Sequence, residues 1–194
     1  HSPTHPLSHS GVSVMDRQTR IDLLVDHFKH PRHRGAMADA DVRMPGGNPG
    51  CGDVVAMYVK AAPGEDRVER VSFEGQGCTI SQAAASILAE RANRKRLGFA
   101  EILDMSYEDM IGILGEDVVG SRPRCATLAL GTLKAAVKRI EMDRRLRAAG
   151  RSEEEIRAMR EALASQAAGS GLVFGEGAEA AARTAGKGPP EPES

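Results

Sequence analysis

Gly46-Gly47-Asn48-Pro49-Gly50-Cys51-Gly52-Asp53 decides how this chain is read. Glycine lacks a Cβ and proline lacks an N–H, so the composition predicts a tight, bare turn rather than a helix or the middle of a strand. Glycines on both sides of Cys51 leave its sulfur unscreened, facing either water or a partner. Asp53 follows two residues later.

The flanks extend the picture. Val54–Lys60 is β-branched and apolar, and Val68–Glu74 alternates, with Val71 and Phe73 on one face and Ser72 and Glu74 on the other. Ala62-Pro63-Gly64-Glu65-Asp66 between them is a turn of hairpin length. Antiparallel pairing sets the start of the first strand beside the end of the second, which brings Cys51 next to Cys78. A weaker strand, Asp41–Met44, leads into the glycine turn.

Two more cysteines share this kind of setting. Cys78 follows Gly75-Gln76-Gly77 and opens a helical period that runs through Ile80, Ala84, Ile87 and Leu88 to about Arg94. Cys125 lies in the first turn of a helix that Pro123 begins and that reaches to Arg147, with Leu130, Leu133, Val137 and Ile140 on its apolar face. Free N–H groups and a partial positive charge at a helix start favour thiolate, the form that binds metal and attacks sulfur. Three cysteines and Asp53 therefore predict a shared tetrahedral site for zinc or iron. Any one of these cysteines alone reads as a small buried hydrophobe; their common position at element ends favours the shared site. Arg124, beside Cys125, is placed to offset the site's negative charge.

The chain has 194 residues, no Trp, two Tyr and four Phe, so its core rests on Leu, Ile, Val, Met and Ala. Net charge is −1, from 26 basic and 27 acidic residues, which gives no electrostatic case for nucleic acid. No apolar run reaches the roughly 18–20 residues of a membrane span. Three well-separated cysteines fit a reducing cytoplasm better than a disulfide framework.

Residues 1–15 read as a disordered tail that includes His1, His5 and His9. Residues 16–150 form one domain. Its first helix is predicted over Arg17–Lys29, capped by Asp16, with Ile21, Leu24, Val25 and Phe28 as its apolar stripe and Pro31 ending it. His27, His30 and His33 read as surface or helix-end residues, and Arg91, Arg94, Lys95 and Arg96 as a solvated helix end. Short helices are expected near Phe99–Met105 and Tyr107–Leu114, the second capped by Ser106. Residues 151–165 form a helical extension, and 166–194 an Ala/Gly/Pro-rich stretch expected to be disordered or loosely attached.

Three segments carry a family resemblance: Asn48-Pro49-Gly50-Cys51-Gly52-Asp53, Gly77-Cys78-Thr79-Ile80-Ser81 and Arg124-Cys125-Ala126-Thr127-Leu128. They resemble the cysteine segments of the IscU/SufU (NifU N-terminal-like) iron–sulfur cluster assembly proteins. Leu24–Gly35 is similar to the family's first helix and the turn after it, and the likeness spans about Asp16 to Arg147. It implies an α+β fold, a three-stranded antiparallel sheet packed by helices, with an exposed metal site at one end. The IscU branch carries a histidine immediately before the third cysteine. Arg124 stands there, as Lys or Arg does in the SufU branch, although the spacing from Cys78 to Cys125 is closer to IscU.

Site identity gives the SufU-like expectation the greater weight. Cys51, Asp53, Cys78 and Cys125 would hold Zn²⁺, and a histidine of a pyridoxal-phosphate cysteine desulfurase (SufS-like) would displace Cys51. The freed Cys51 would accept sulfane sulfur as the catalytic nucleophile, with Arg124 tuning charge, and downstream iron–sulfur assembly proteins would receive the sulfur. The alternative is a scaffold on which the same residues take iron and sulfide, build a [2Fe–2S] cluster and release it. A structural zinc site is the third reading; the absence of a close ligand pair counts against it.

Overall fold

The computed structural model describes residues 15–164, 171–175, 177–178 and 181. Its elements in chain order are α1 (Arg17–Lys29), β1 (Val42–Asn48), β2 (Asp53–Ala61), β3 (Val68–Gln76), α2 (Thr79–Lys95), α3 (Phe99–Asp104), α4 (Tyr107–Leu114), α5 (Glu116–Val119), α6 (Pro123–Ala148), α7 (Glu153–Ala164) and β4 (Val173–Phe174).

β2 is the central strand, and its alternation explains why. Val55, Met57 and Val59 point into the core, where α2 and α6 cover them with Ala84, Leu88, Leu130 and Leu133. On the opposite face Tyr58 is shielded by a cross-strand ladder: Arg43 Nε donates to its hydroxyl at 3.2 Å, and the hydroxyl donates to Glu74 Oε2 at 2.5 Å. β2 pairs antiparallel with β1 and with β3, whose register sets Val54 opposite Gln76. The outer edge of β3 is closed by His33–Gly35, through Gly35 N–H to Phe73 O at 2.8 Å and Phe73 N–H to His33 O at 3.0 Å.

The fold is α+β as expected, but the sheet has four strands, not three, in the order β3-β2-β1-β4. The fourth comes from within 166–194, the stretch expected to be disordered or loosely attached. Val173 pairs with Gly47 and Phe174 with Gly46. Two residues are too few to show a period of two, so this strand leaves no mark in the sequence pattern. The remainder of that expectation, and the expectation for residues 1–14, lie outside the described residues.

The glycine stretch also needs correcting. Gly46, Gly47 and Asn48 belong to β1 rather than to the turn, and the turn is confined to Pro49–Gly52. The reason is close approach: a Cβ on Gly46 would come within 2.0 Å of Thr132 Oγ1 on α6. The glycine lets helix and strand meet backbone to side chain. Gly131, one residue before Thr132, likewise makes room for the Phe174 ring, which a Cβ would meet at 2.6 Å. A mid-helix glycine costs about 1 kcal/mol against alanine, and the packed ring offsets it.

α1 has the expected limits, with Thr19 N–H donating to Asp16 Oδ1 at 2.9 Å. Its buried face is turned from the expected one. Phe28 is 41% exposed while His27 is only 3% exposed. Ser86 on α2 explains this, since its hydroxyl lies 2.8 Å from His27 Nδ1 and accepts the Arg32 N–H at 2.8 Å. The Ser86 hydroxyl therefore bridges His27 and Arg32, and the other ring nitrogen, Nε2, faces Glu90 at 3.7 Å. His27 is thus a satisfied core histidine.

α7 docks on α6. Ile156 is fully buried, and Arg160 forms a two-pronged ion pair with buried Asp143. Among the described residues no helix is long and apolar enough to cross a membrane.

Candidate metal centre

Three element ends meet at one end of the sheet. The β1–β2 connection is a turn organised by Asn48, whose backbone carbonyl accepts the N–H of Cys51 at 3.2 Å and of Gly52 at 2.9 Å. Its side-chain oxygen accepts the Gly50 N–H at 3.1 Å. Gly52 closes the turn with φ +75°, a conformation that suits glycine. The outcome is an exposed Cys51 at the tip and a buried Asp53 as the first residue of β2.

Cys78 caps α2, its sulfur accepting the Ser81 N–H at 3.5 Å. Gly77 admits the Asp53 carboxylate alongside, for a Cβ there would lie 2.5 Å from Asp53 Oδ1. Asp53 then accepts the Cys78 N–H at 3.1 Å and its thiol at 3.4 Å. Cys125 is the third residue of α6, behind Pro123, and is 4% exposed. The sulfurs of Cys51 and Cys125 are 3.5 Å apart although 74 positions separate them in the chain.

Cys51, Asp53 and Cys125 each present a donor atom within 4.8 Å of the others. Cys78 borders the same cleft but stands beyond this group, its sulfur turned to Asp53 and Ser81. The donor chemistry suits a tetrahedral thiolate-binding ion such as zinc or iron: two sulfurs at about 2.3 Å from such an ion lie about 3.8 Å apart, close to the 3.5 Å spacing of Cys51 and Cys125. The cleft has a volume of about 870 Å³, and Arg122 and Arg124 line its rim. His27, His30 and His33 take no part.

Burial pushes the thiols of Cys51 and Cys125 above the ordinary cysteine range, and the nearby Asp53 carboxylate adds to the effect on both. Loading a metal here must therefore expel thiol protons.

Asn48 is a participant that the sequence reading left without a role. Its amide is buried and donates to the Cys125 sulfur at 3.8 Å, while its oxygen holds the Cys51 turn. An Asx residue directly before a Pro-Gly-Cys turn was the available signal.

The match to known proteins follows the same residues. The model of the NifU-like N terminal domain matches residues 20–146, from α1 to nearly the end of α6. The iron–sulfur cluster assembly scaffold protein IscU of Aquifex aeolicus is 34% identical over 117 residues, covering 60% of this chain and 73% of that one. The zinc-dependent sulfurtransferase SufU of Bacillus subtilis is 30% identical over 134 residues, covering 61% and 89%. Among solved structures, a SufU from Fervidobacterium islandicum, described as an iron–sulfur cluster assembly scaffold protein for the SUF system, superposes with a TM-score of 0.50 at 25% identity. It covers 60% of this chain and 94% of its own. With its three cysteine segments and the fold that joins them all inside the matched region, the chain belongs to the NifU-like N-terminal domain family of iron–sulfur cluster assembly proteins.

Proposed function

We propose that this protein is a zinc-dependent sulfur acceptor serving a pyridoxal-phosphate cysteine desulfurase. The observation that carries the reading is the contrast between Cys51, exposed on a glycine turn, and Cys125, buried 3.5 Å away at a helix start. One sulfur is open to an incoming donor and the other is anchored. Cys51, Asp53, Cys78 and Cys125 would hold Zn²⁺, whose contribution is to keep cysteines as thiolates at neutral pH. The likeness to the Bacillus subtilis sulfurtransferase, and Arg124 next to Cys125, support zinc over a cluster as the resident group.

In the transfer step the Cys51 thiolate attacks the outer sulfur of the desulfurase persulfide. A new S–S bond forms on Cys51 as the donor's S–S bond breaks, and the electron pair leaves on the donor thiolate. The transferred sulfur keeps its proton, so charge and atoms balance. Glycines on both sides leave the line of attack unobstructed.

The second reading is a scaffold for a [2Fe–2S] cluster as cargo, and the description of the Aquifex aeolicus relative as a scaffold favours it. Anaerobic purification without reconstitution, followed by metal analysis and incubation with desulfurase and cysteine, separates the two. About one zinc per chain and one added sulfur on the Cys51 peptide support the acceptor. Iron and sulfide in coloured protein, with no sulfur gain on Cys51, would replace it with the scaffold.

A further inference from the structure

Gly171 lies outside the family-matched region, which ends at residue 146, yet it touches the site. The position that a Cβ on Gly171 would occupy is 3.0 Å from Arg124 Cζ, 3.1 Å from Nη2 and 3.2 Å from Nη1. Near-equal distances to the central carbon and two nitrogens put that point over the flat face of the guanidinium, not at its edge. Gly171 has φ +74°, so both its backbone conformation and its lack of a side chain suit this contact.

The strand behind Gly171 is anchored on both elements that lead to the site. Val173 and Phe174 pair with Gly47 and Gly46 of β1, which runs into the Cys51 turn, and Gly175 N–H donates to Pro45 O at 2.8 Å. Leu172 is buried in the core, and the Phe174 ring fills the space above Gly131 on α6, the helix whose first turn holds Arg124 and Cys125. Arg124 has no ion pair or hydrogen bond to any described residue. Its charge therefore belongs to the cleft it lines, and the flat face of the guanidinium is turned toward Gly171.

We propose that Gly171, held by β4, is a positioning residue for Arg124, keeping the guanidinium at the cleft rim so that sulfur compounds carrying negative charge reach Cys51 faster than neutral ones. The proposal rests on the reading of Cys51 as the accessible sulfur acceptor. A cation fixed beside a cleft speeds the entry of anions more than of neutral molecules, and salt weakens the difference.

The test compares labelling rates at Cys51, read by peptide mass, for an anionic aromatic disulfide (dithiobis-nitrobenzoate) and a neutral one (dithiodipyridine). Full-length zinc-loaded protein is used at low and high salt. Arg124→Ala should lower the anionic-to-neutral rate ratio by about fivefold, and Gly171→Ala should lower it similarly with zinc content unchanged. The double variant should fall no further than Arg124→Ala alone. Phe174→Ala loosens the strand without touching the Gly171 backbone and should shift the ratio in the same direction. High salt should erase these differences. An unchanged ratio in both Gly171→Ala and Phe174→Ala, or a double variant that falls by the product of the single effects, would overturn the proposal. The ratio needs no desulfurase. Absence of sulfur gain on Cys51 therefore counts against the acceptor reading, whereas an insensitive ratio counts against the role of Gly171.

Discussion

The Asp53 carboxylate holds Cys78 twice, accepting its backbone N–H at 3.1 Å and its thiol at 3.4 Å. One buried side chain thereby ties the start of β2 to the start of α2 and supplies an oxygen donor beside Cys51 and Cys125.

Separating these two duties gives the first prediction. Asp53→Ala removes a charge-assisted cap and should cost about 1.5–3 kcal/mol of stability, together with at least about a tenfold loss in zinc affinity. Asp53→Asn retains an acceptor for the Cys78 N–H, so it should recover part of the stability and little of the metal affinity. Thermal midpoints and chelator competition on both variants measure this. Zinc affinity at the wild-type level in Asp53→Asn would remove the carboxylate from the ligand set.

His27 gives a pH prediction. Burial, aided by the Arg32 charge, lowers its pKa below the ordinary histidine value, against the opposing pull of Glu90 and Asp26. Well above about pH 6.5 the imidazole is neutral both folded and unfolded and contributes no pH dependence. Below that value the unfolded chain takes up a proton that the folded chain resists, so stability falls with pH, by at most about 1.4 kcal/mol per unit. The loss levels off once the folded pKa is passed. His27→Gln should flatten the dependence of thermal midpoint on pH between 5 and 7; equal slopes in both proteins would assign it to other groups.

Much of the site was legible because its residues sit at punctuation. Gly77 before Cys78 and Pro123 before Cys125 mark helix starts, and the hairpin between β2 and β3 sets Cys51 and Cys78 on one cleft. What stayed hidden depends on a partner surface. Gly46 and Gly47 read as turn residues because nothing in their neighbourhood announces Thr132 or Phe174. The shift of the buried face of α1 from Phe28 to His27 follows from Ser86, which lies 59 positions away from His27. Cys78 borders the cleft but stands outside the Cys51–Asp53–Cys125 group, its sulfur facing Asp53, a choice among rotamers that spacing does not determine.

The docking of α7 predicts the effect of truncation. Ending the chain at Gly150 removes fully buried Ile156 and the Arg160 partner of buried Asp143. The shortened chain should keep its β-sheet signature in circular dichroism but melt several degrees lower. In the full chain Ile156→Ala should cost about 2–4 kcal/mol. Arg160→Ala should cost about 3 kcal/mol, because Asp143 would remain buried without its partner. A truncated protein with an unchanged midpoint would mean that α7 contributes nothing to the domain's stability.

The last prediction separates the three cysteines by how each is held. Cys51 stands on an exposed turn held chiefly by Asn48 and Gly52, its own sulfur adding only a 4.0 Å contact to the Asn48 carbonyl, so Cys51→Ser should leave the fold intact and part of the zinc in place. It should nevertheless abolish persulfide uptake from the desulfurase, because the nucleophile is gone. Cys125 is buried at the base of α6 with the Asn48 amide against its sulfur, so Cys125→Ser should lose zinc and stability together. Cys78→Ser should fall between them: a serine still caps α2, sparing much of the stability, while the thiolate is lost to the metal. Zinc content, thermal midpoint and desulfurase turnover under reducing conditions give three readouts for each variant. The expected order of stability is Cys51→Ser, then Cys78→Ser, then Cys125→Ser, whereas only the first should retain zinc with no sulfur transfer. Wild-type sulfur uptake in Cys51→Ser would end its assignment as carrier and move that role to Cys125, which would then have to leave its buried position to react.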